Sequence, residues 1–105
     1  MQLEISRRGH PLLIAINGRL DTMTAPELDL YVKNELSQEN GEVVLDLHGL
    51  DYISSAGLRA LLGLAKLVEG NGGKVAICGL RGEVQKVFEL SGFTRVFTIC
   101  ARPTA

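Results

Sequence analysis

No block of lysine or arginine runs through this sequence, and its formal net charge is only −1. That balance points away from nucleic acid and from an anionic membrane surface as partners. No apolar run approaches the ~18 residues that a membrane-spanning helix needs. The first residues, Met1 to Arg8, lack the apolar stretch of a secretory signal. A cytoplasmic protein is the expectation. Cysteine is scarce. Cys78 and Cys100 are the only two, far apart in sequence and without metal-type ligands beside them. They read as two small, buried, reduced thiols, not as a metal site.

Catalytic signatures are missing too. A serine hydrolase needs a base and an orienting acid around its nucleophile. His10 and His48 are present, but the Gly-x-Ser-x-Gly elbow is not. The stretch Gly70-Asn71-Gly72-Gly73-Lys74 precedes a strand pattern, not a helix, so it is a loop and not a phosphate cradle. Asp21, Asp46 and Asp51 fall near predicted strand ends. Clustered carboxylates can hold Mg²⁺, but solvated loop carboxylates are the plainer reading. No catalytic residue, metal ligand or cofactor is assigned.

What is present suits one domain. The chain has 105 residues, 46% of them hydrophobic and 22% charged, enough for a single core over 1–105. Leu3–Arg7 alternates apolar and polar, which predicts a strand. Gly9-His10-Pro11 breaks it, and Leu12–Ile16 predicts a second strand, with Asn17–Asp21 leading into a loop. Thr24-Ala25-Pro26-Glu27 fits a capping box, so a helix is predicted to run to about Gln38. Val43–Leu47 is an apolar run suited to a buried strand. A loop follows over His48–Ile53, then a helix from about Ser55 to Glu69. Lys74–Cys78 predicts a strand, Glu83–Leu90 a third helix and Val96–Ile99 a last strand. Residues 100–105 are expected to fray. The order β-β-α-β-α-β-α-β predicts an α/β fold, a mixed central sheet with helices packed on it.

The most informative stretch is Asp51–Arg59, where Ser54 and Ser55 stand at a strand-to-helix turn. Free N–H groups and partial positive charge gather there. In the helix that follows, Leu58, Leu61, Leu62, Ala65 and Val68 form a core stripe. Ala56, Ala60, Gly63 and Leu67 form a second strip beside it, with Leu64 also left over. A mid-helix glycine costs ~1 kcal/mol relative to alanine. Small and apolar residues on that strip suit close approach by another protein. Packing against a neighbouring helix of the same domain is the alternative. For Ser55 itself, the simplest role is helix capping.

Three motifs in order carry a resemblance: Asn17-Gly18-Arg19-Leu20-Asp21, Val43-Val44-Leu45-Asp46-Leu47, and Tyr52-Ile53-Ser54-Ser55-Ala56-Gly57-Leu58-Arg59. Together with the Lys74–Gly79 strand and the Val84–Gly92 helix, they span nearly the whole chain. The sequence resembles a STAS domain of the bacterial anti-anti-sigma factor family, the anti-sigma factor antagonists. The resemblance implies a STAS fold without catalytic activity, monomeric when free. It also implies a partner that is both anti-sigma factor and serine kinase, and a PP2C-type phosphatase that reverses the phosphorylation. The unphosphorylated form would bind that partner and release a sigma factor. The family's usual acceptor directly precedes the glycine. Here Ala56 holds that place, and Ser54 replaces the usual aspartate. Ser55 is therefore the expected acceptor and Ser54 the runner-up. The expected contact set is Asp21, Ser54, Ser55, Ala56, Gly57, Arg59, Ala60, Gly63, Leu64 and Leu67. Asp46 or Asp51 is expected to help Asp21 shape the site for the kinase. Many relatives add a C-terminal helix, for which Thr98–Ala105, with Pro103, is too short. The alternative is a non-switching STAS subunit of a larger assembly, such as a transporter regulator or signalling scaffold.

Overall fold

A parallel ladder with one antiparallel edge organises the chain. The computed structural model describes residues 3–9 and 12–100. Its elements are β1 (Leu3–Arg8), β2 (Leu12–Leu20), α1 (Ala25–Glu35), β3 (Glu42–Asp46), β4 (Leu50–Ile53), α2 (Ser55–Gly70), β5 (Lys74–Cys78), α3 (Gly82–Ser91) and β6 (Thr98–Ile99). A 3₁₀ turn, Phe93–Arg95, precedes β6. The sheet order is β1-β2-β3-β5-β6, and β4 pairs with β2. Among the described residues only β1 and β2 run antiparallel; the other pairs are parallel. This is the mixed sheet with three helices that the sequence predicts.

The second strand is longer than its sequence suggests. It does not stop at Ile16 but continues to Leu20. Its first half, Leu12–Ala15, pairs with Val43–Asp46 of β3. Its second half pairs with β4, Gly18 with Leu50 and Leu20 with Ile53, across an irregularity at Gly18/Arg19. So the stretch before α2, expected to be loop, contains a short strand. Gly18 sits at φ 104°, a conformation open to glycine, which lets the strand bend there and keep pairing.

The α1 start also differs from expectation. Pro26 and Glu27 do lie in the first turn. Thr24 does not form the capping box, because its side chain turns the other way. Its hydroxyl donates to the Arg19 carbonyl at 2.7 Å and accepts from the Asp21 N–H at 2.9 Å. The helix ends at Glu35, short of Gln38. Beyond it, the carbonyls of Ser37 and Glu39 accept from the Asn71 side chain at 3.0 and 3.1 Å, which holds that segment to the end of α2. The last strand is shorter than predicted, because Phe93–Arg95 winds into the 3₁₀ turn. Cys100 is not frayed, since its N–H donates to the Ile77 carbonyl at 2.8 Å. His10, Pro11 and Ala101–Ala105 lie outside the described residues.

The core follows the sheet. Leu12, Ile14, Ile16 and Leu20 of β2 are buried at alternate positions, as the two-residue period of a strand requires. Val43, Val44 and Leu45 are all buried, consistent with a strand covered on both faces. Helix α2 lies against α1, β4 and β5, and α3 lies on β4. The three phenylalanines form one cluster, with Phe88 6.2 Å from Phe93 and 6.1 Å from Phe97 between ring centroids. Phe88 is fully buried at its centre. Phe88→Ala should therefore cost about 3–5 kcal/mol of unfolding free energy. Urea unfolding measures this, and a loss under about 1 kcal/mol would show that the cluster is not part of the core.

Candidate functional site

The turn between β4 and α2 is held by main-chain and side-chain bonds to the end of β2. The Ser54 N–H donates to the Leu20 carbonyl at 3.0 Å. Ser54 is extended and is the N-cap of α2, its hydroxyl accepting from the Gly57 N–H at 3.3 Å. This corrects the capping role considered for Ser55. Ser55 is the first residue of the helix and is exposed. Its hydroxyl has no hydrogen-bond partner among the described residues. The two adjacent hydroxyls are thus chemically distinct: one is spent on the backbone and one is open.

Gly57 is buried, because the first turn of α2 rests on β2. A side chain there would place its Cβ 2.6 Å from the Leu20 carbonyl oxygen and 2.9 Å from the Leu20 and Ile53 side chains. Gly57 is therefore a fitting residue and not a contact residue, contrary to the sequence expectation. Gly63 is its opposite. It is exposed, and a Cβ there would meet nothing within 4 Å.

Beside this turn lies the loop from β2 to α1. One Asp21 carboxylate oxygen accepts from the Met23 and Thr24 N–H groups at 3.0 and 3.1 Å. The other faces the Arg19 guanidinium at 3.5 Å. Partial burial pushes the Asp21 carboxyl up, but these amides, a longer 3.2 Å contact shared by the Thr24 hydroxyl, and the Arg19 charge outweigh it and hold the pKa below the ordinary value. Arg19 also lies over the Tyr52 ring, 4.3 Å from its centroid. Tyr52 is 40% exposed and Met23 81% exposed. Neither was singled out as a contact residue from sequence. Strand alternation places Tyr52 on the same face as the buried Leu50, so its exposure has no signal in the sequence.

The strip predicted on α2 divides. Leu64 is fully buried and Ala60 is 5% exposed, so both belong to the core and not to a contact surface. Because α2 lies against α1 as well as β4 and β5, its buried arc is wider than one stripe. Ala56 and Leu67 are half-buried at the margin, as is Leu62, which was placed on the core stripe. The open face runs through Ser55, Arg59, Gly63 and Lys66.

The three carboxylates do not gather. Asp46 accepts from the His48 N–H at 3.0 Å, and Asp51 faces Arg81 at 3.4 Å. Among the described residues, no group of three His, Cys, Asp or Glu side chains is placed to hold a metal. His48 is tied through its carbonyl to the Arg81 guanidinium at 2.6 Å. No hydrogen bond joins its ring to Ser54 or Ser55 among the described residues. Nor is any described helix long and apolar enough to cross a membrane.

Family comparison assigns the chain as a whole. The model of the STAS domain family matches residues 2–103. The chain is a STAS domain. It is 35% identical over 99 residues to the Bordetella bronchiseptica protein BtrV, whose name places it among anti-sigma factor antagonists. That match covers 94% of this chain and 85% of the relative. Among solved structures, an anti-sigma factor antagonist from Mycobacterium paratuberculosis superposes with a TM-score of 0.75 at 24% identity, covering 97% of this chain and 86% of that one. The Bacillus cell fate determinant SpoIIAA in its phosphorylated form gives 0.59 at 15% identity, covering 94% and 91%. The last two likenesses concern the fold. The names of these proteins describe regulators, not reactions.

Two glycines of this STAS domain test the geometry. Gly57→Ala should lose about 1–3 kcal/mol of stability, while Gly63→Ala should gain up to about 1 kcal/mol. Urea unfolding of both variants checks this, and equal effects would contradict the close approach at Leu20. Asp21 gives a pH test. A carboxyl whose pKa is depressed on folding stabilises above its unfolded value and loses that contribution as pH falls through the folded one. Wild type should be more stable than Asp21→Asn at pH 7, and the gap should close below about pH 4. A gap independent of pH would mean that the charge is not what matters.

Proposed function

We propose that this STAS domain is an anti-sigma factor antagonist whose partner binding is switched off by phosphorylation of Ser55. Unphosphorylated, it binds an anti-sigma factor that is also a serine kinase, and so frees a sigma factor. A PP2C-type phosphatase restores the binding form, and the cycle belongs to the cytoplasm. The observation that carries this reading is the open hydroxyl of Ser55, exposed at the first residue of α2. Its neighbour Ser54 is engaged with Gly57, and phosphate there would break the cap. The names of the relatives support antagonism of an anti-sigma factor. SpoIIAA, known in a phosphorylated form, supports a phosphate cycle.

The contact surface proposed is narrower than the sequence strip in one place and wider in another. Ala60, Leu64 and Gly57 leave it. Ser55, Ala56, Arg59, Gly63 and the edge of Leu67 remain, and the Asp21 loop borders them. Met23 and Tyr52 join it as exposed apolar groups. Asp21 acts by shaping its own loop.

The switch follows from charge. A phosphoserine carries about −1.5 to −2 charges at pH 7. The domain tolerates that charge at a helix N-terminus, where N–H groups and the helix dipole favour an anion. A partner seated on the same face must desolvate it, and any facing carboxylate repels it. Phosphorylation therefore releases the partner without unfolding the domain.

Calorimetric titration with the anti-sigma partner tests this. Ser55→Asp should bind at least ~10-fold more weakly, a loss of about 1.4 kcal/mol, with an unchanged circular dichroism spectrum. Ser55→Ala should bind like wild type. Equal binding by both variants would replace the switch with a constitutive STAS subunit.

A further inference from the structure

We infer that Cys78 and Cys100 form a modification site, a thiol pair that a peroxide closes into a disulfide within the chain. The two residues are 22 positions apart in sequence but meet across a ladder. Strands β5 and β6 run parallel, with Ala76 opposite Thr98 and Ile77 opposite Ile99. The Cys100 N–H continues that ladder to the Ile77 carbonyl at 2.8 Å. The next register position sets Cys78 beside Cys100, with both side chains on one face of the sheet. Adjacent strands lie about 4.8 Å apart, inside the Cα spacing of ~4.4–6.8 Å that a disulfide spans. Both thiols are free. Cys100 donates weakly to the Ile77 carbonyl at 3.5 Å.

The two sulfurs have different surroundings. Cys78 is fully buried, and burial pushes its thiol pKa up to about 12, the Asp46 carboxylate and the Cys100 side chain adding to the effect. It resists ionising, so it is not the first to react. Cys100 is half-buried and opens on a groove shared with Leu80, Gln85, Thr94 and Ile99. A small peroxide reaches it there. The Cys100 sulfur attacks one peroxide oxygen, the O–O bond breaks, and the other oxygen leaves with the thiol proton as water or an alcohol. The sulfur is oxidised to a sulfenic acid and the peroxide is reduced. The Cys78 sulfur then attacks the Cys100 sulfur, the S–O bond breaks, and water leaves with the second thiol proton. Two thiols and one hydrogen peroxide become one disulfide and two waters. The bond would staple β6 to β5 and leaves Ser55 untouched.

The test is hydrogen peroxide added to the purified full chain, followed by thiol counting under denaturing conditions and peptide mapping without reductant. Wild type should fall from two free thiols to none and lose the mass of two hydrogens. The tryptic peptide Val75–Arg81 should be joined to the one beginning at Val96, and dithiothreitol should part them. Joining should be independent of protein concentration. Cys100→Ser should keep its Cys78 thiol under the same treatment. The proposal is overturned if both wild-type thiols survive, if Cys100 is over-oxidised while Cys78 stays free, if the disulfide joins two chains, or if Cys100→Ser loses its thiol as fast as wild type.

Discussion

The carbonyl of Leu20 is the point on which the site depends. It accepts the Ser54 N–H at 3.0 Å and lies where any side chain at Gly57 would have to go. One main-chain oxygen at the end of β2 therefore fixes both the entry to α2 and the depth of its first turn. The residues on either side complete the frame. Arg19 and Asp21 are locked to Thr24, whose hydroxyl is buried between them. On the other side, Asp51 and the His48 carbonyl are held by Arg81, from the loop that precedes α3. Of these polar groups Thr24 is the buried one, and its hydroxyl is hydrogen-bonded as burial requires, while the Arg81 contacts lie at the exposed edge.

This frame assigns the two serines different work. The side chain of Ser54 satisfies one of the orphan N–H groups at the start of α2. That of Ser55 is left over, at the place in the helix where an added anion costs the fold least. The proposed switch exploits that asymmetry. A charge that the domain itself accepts becomes intolerable only when a second protein covers it. Stability and affinity then respond to the same modification in different degrees, which a binding module needs if it is to be turned off without being destroyed.

The sheet and three helices were legible because their signals are local. Apolar runs gave β3 and β5, and helical spacing gave α2 and α3. What was illegible depends on pairing between distant segments. Asn17-Gly18 reads as a turn until β4 is there to pair with the residues beyond it. Leu50–Ile53 reads as loop because four residues with buried ends show no clean alternation. Thr24 and Glu27 have the right spacing for a capping box, yet the Thr24 oxygen accepts from the Asp21 N–H and gives its proton to the Arg19 carbonyl, which aims it away from the helix. The strip on α2 was drawn from helical spacing alone, which cannot tell that α1 lies alongside. Gly57 and Gly63 look alike in sequence. Only the position of Leu20 separates the glycine that must be small from the one with open space.

In the proposed switch Ser54 builds the turn and Ser55 receives the phosphate. The most direct measurement is phosphate stoichiometry in Ser54→Ala and Ser55→Ala after incubation with ATP and the anti-sigma kinase, with the site mapped by mass spectrometry. Ser54→Ala should take up phosphate like wild type, on Ser55, although its helix is less stable, and Ser55→Ala should take up none. Phosphate retained by Ser55→Ala on Ser54 would contradict this assignment.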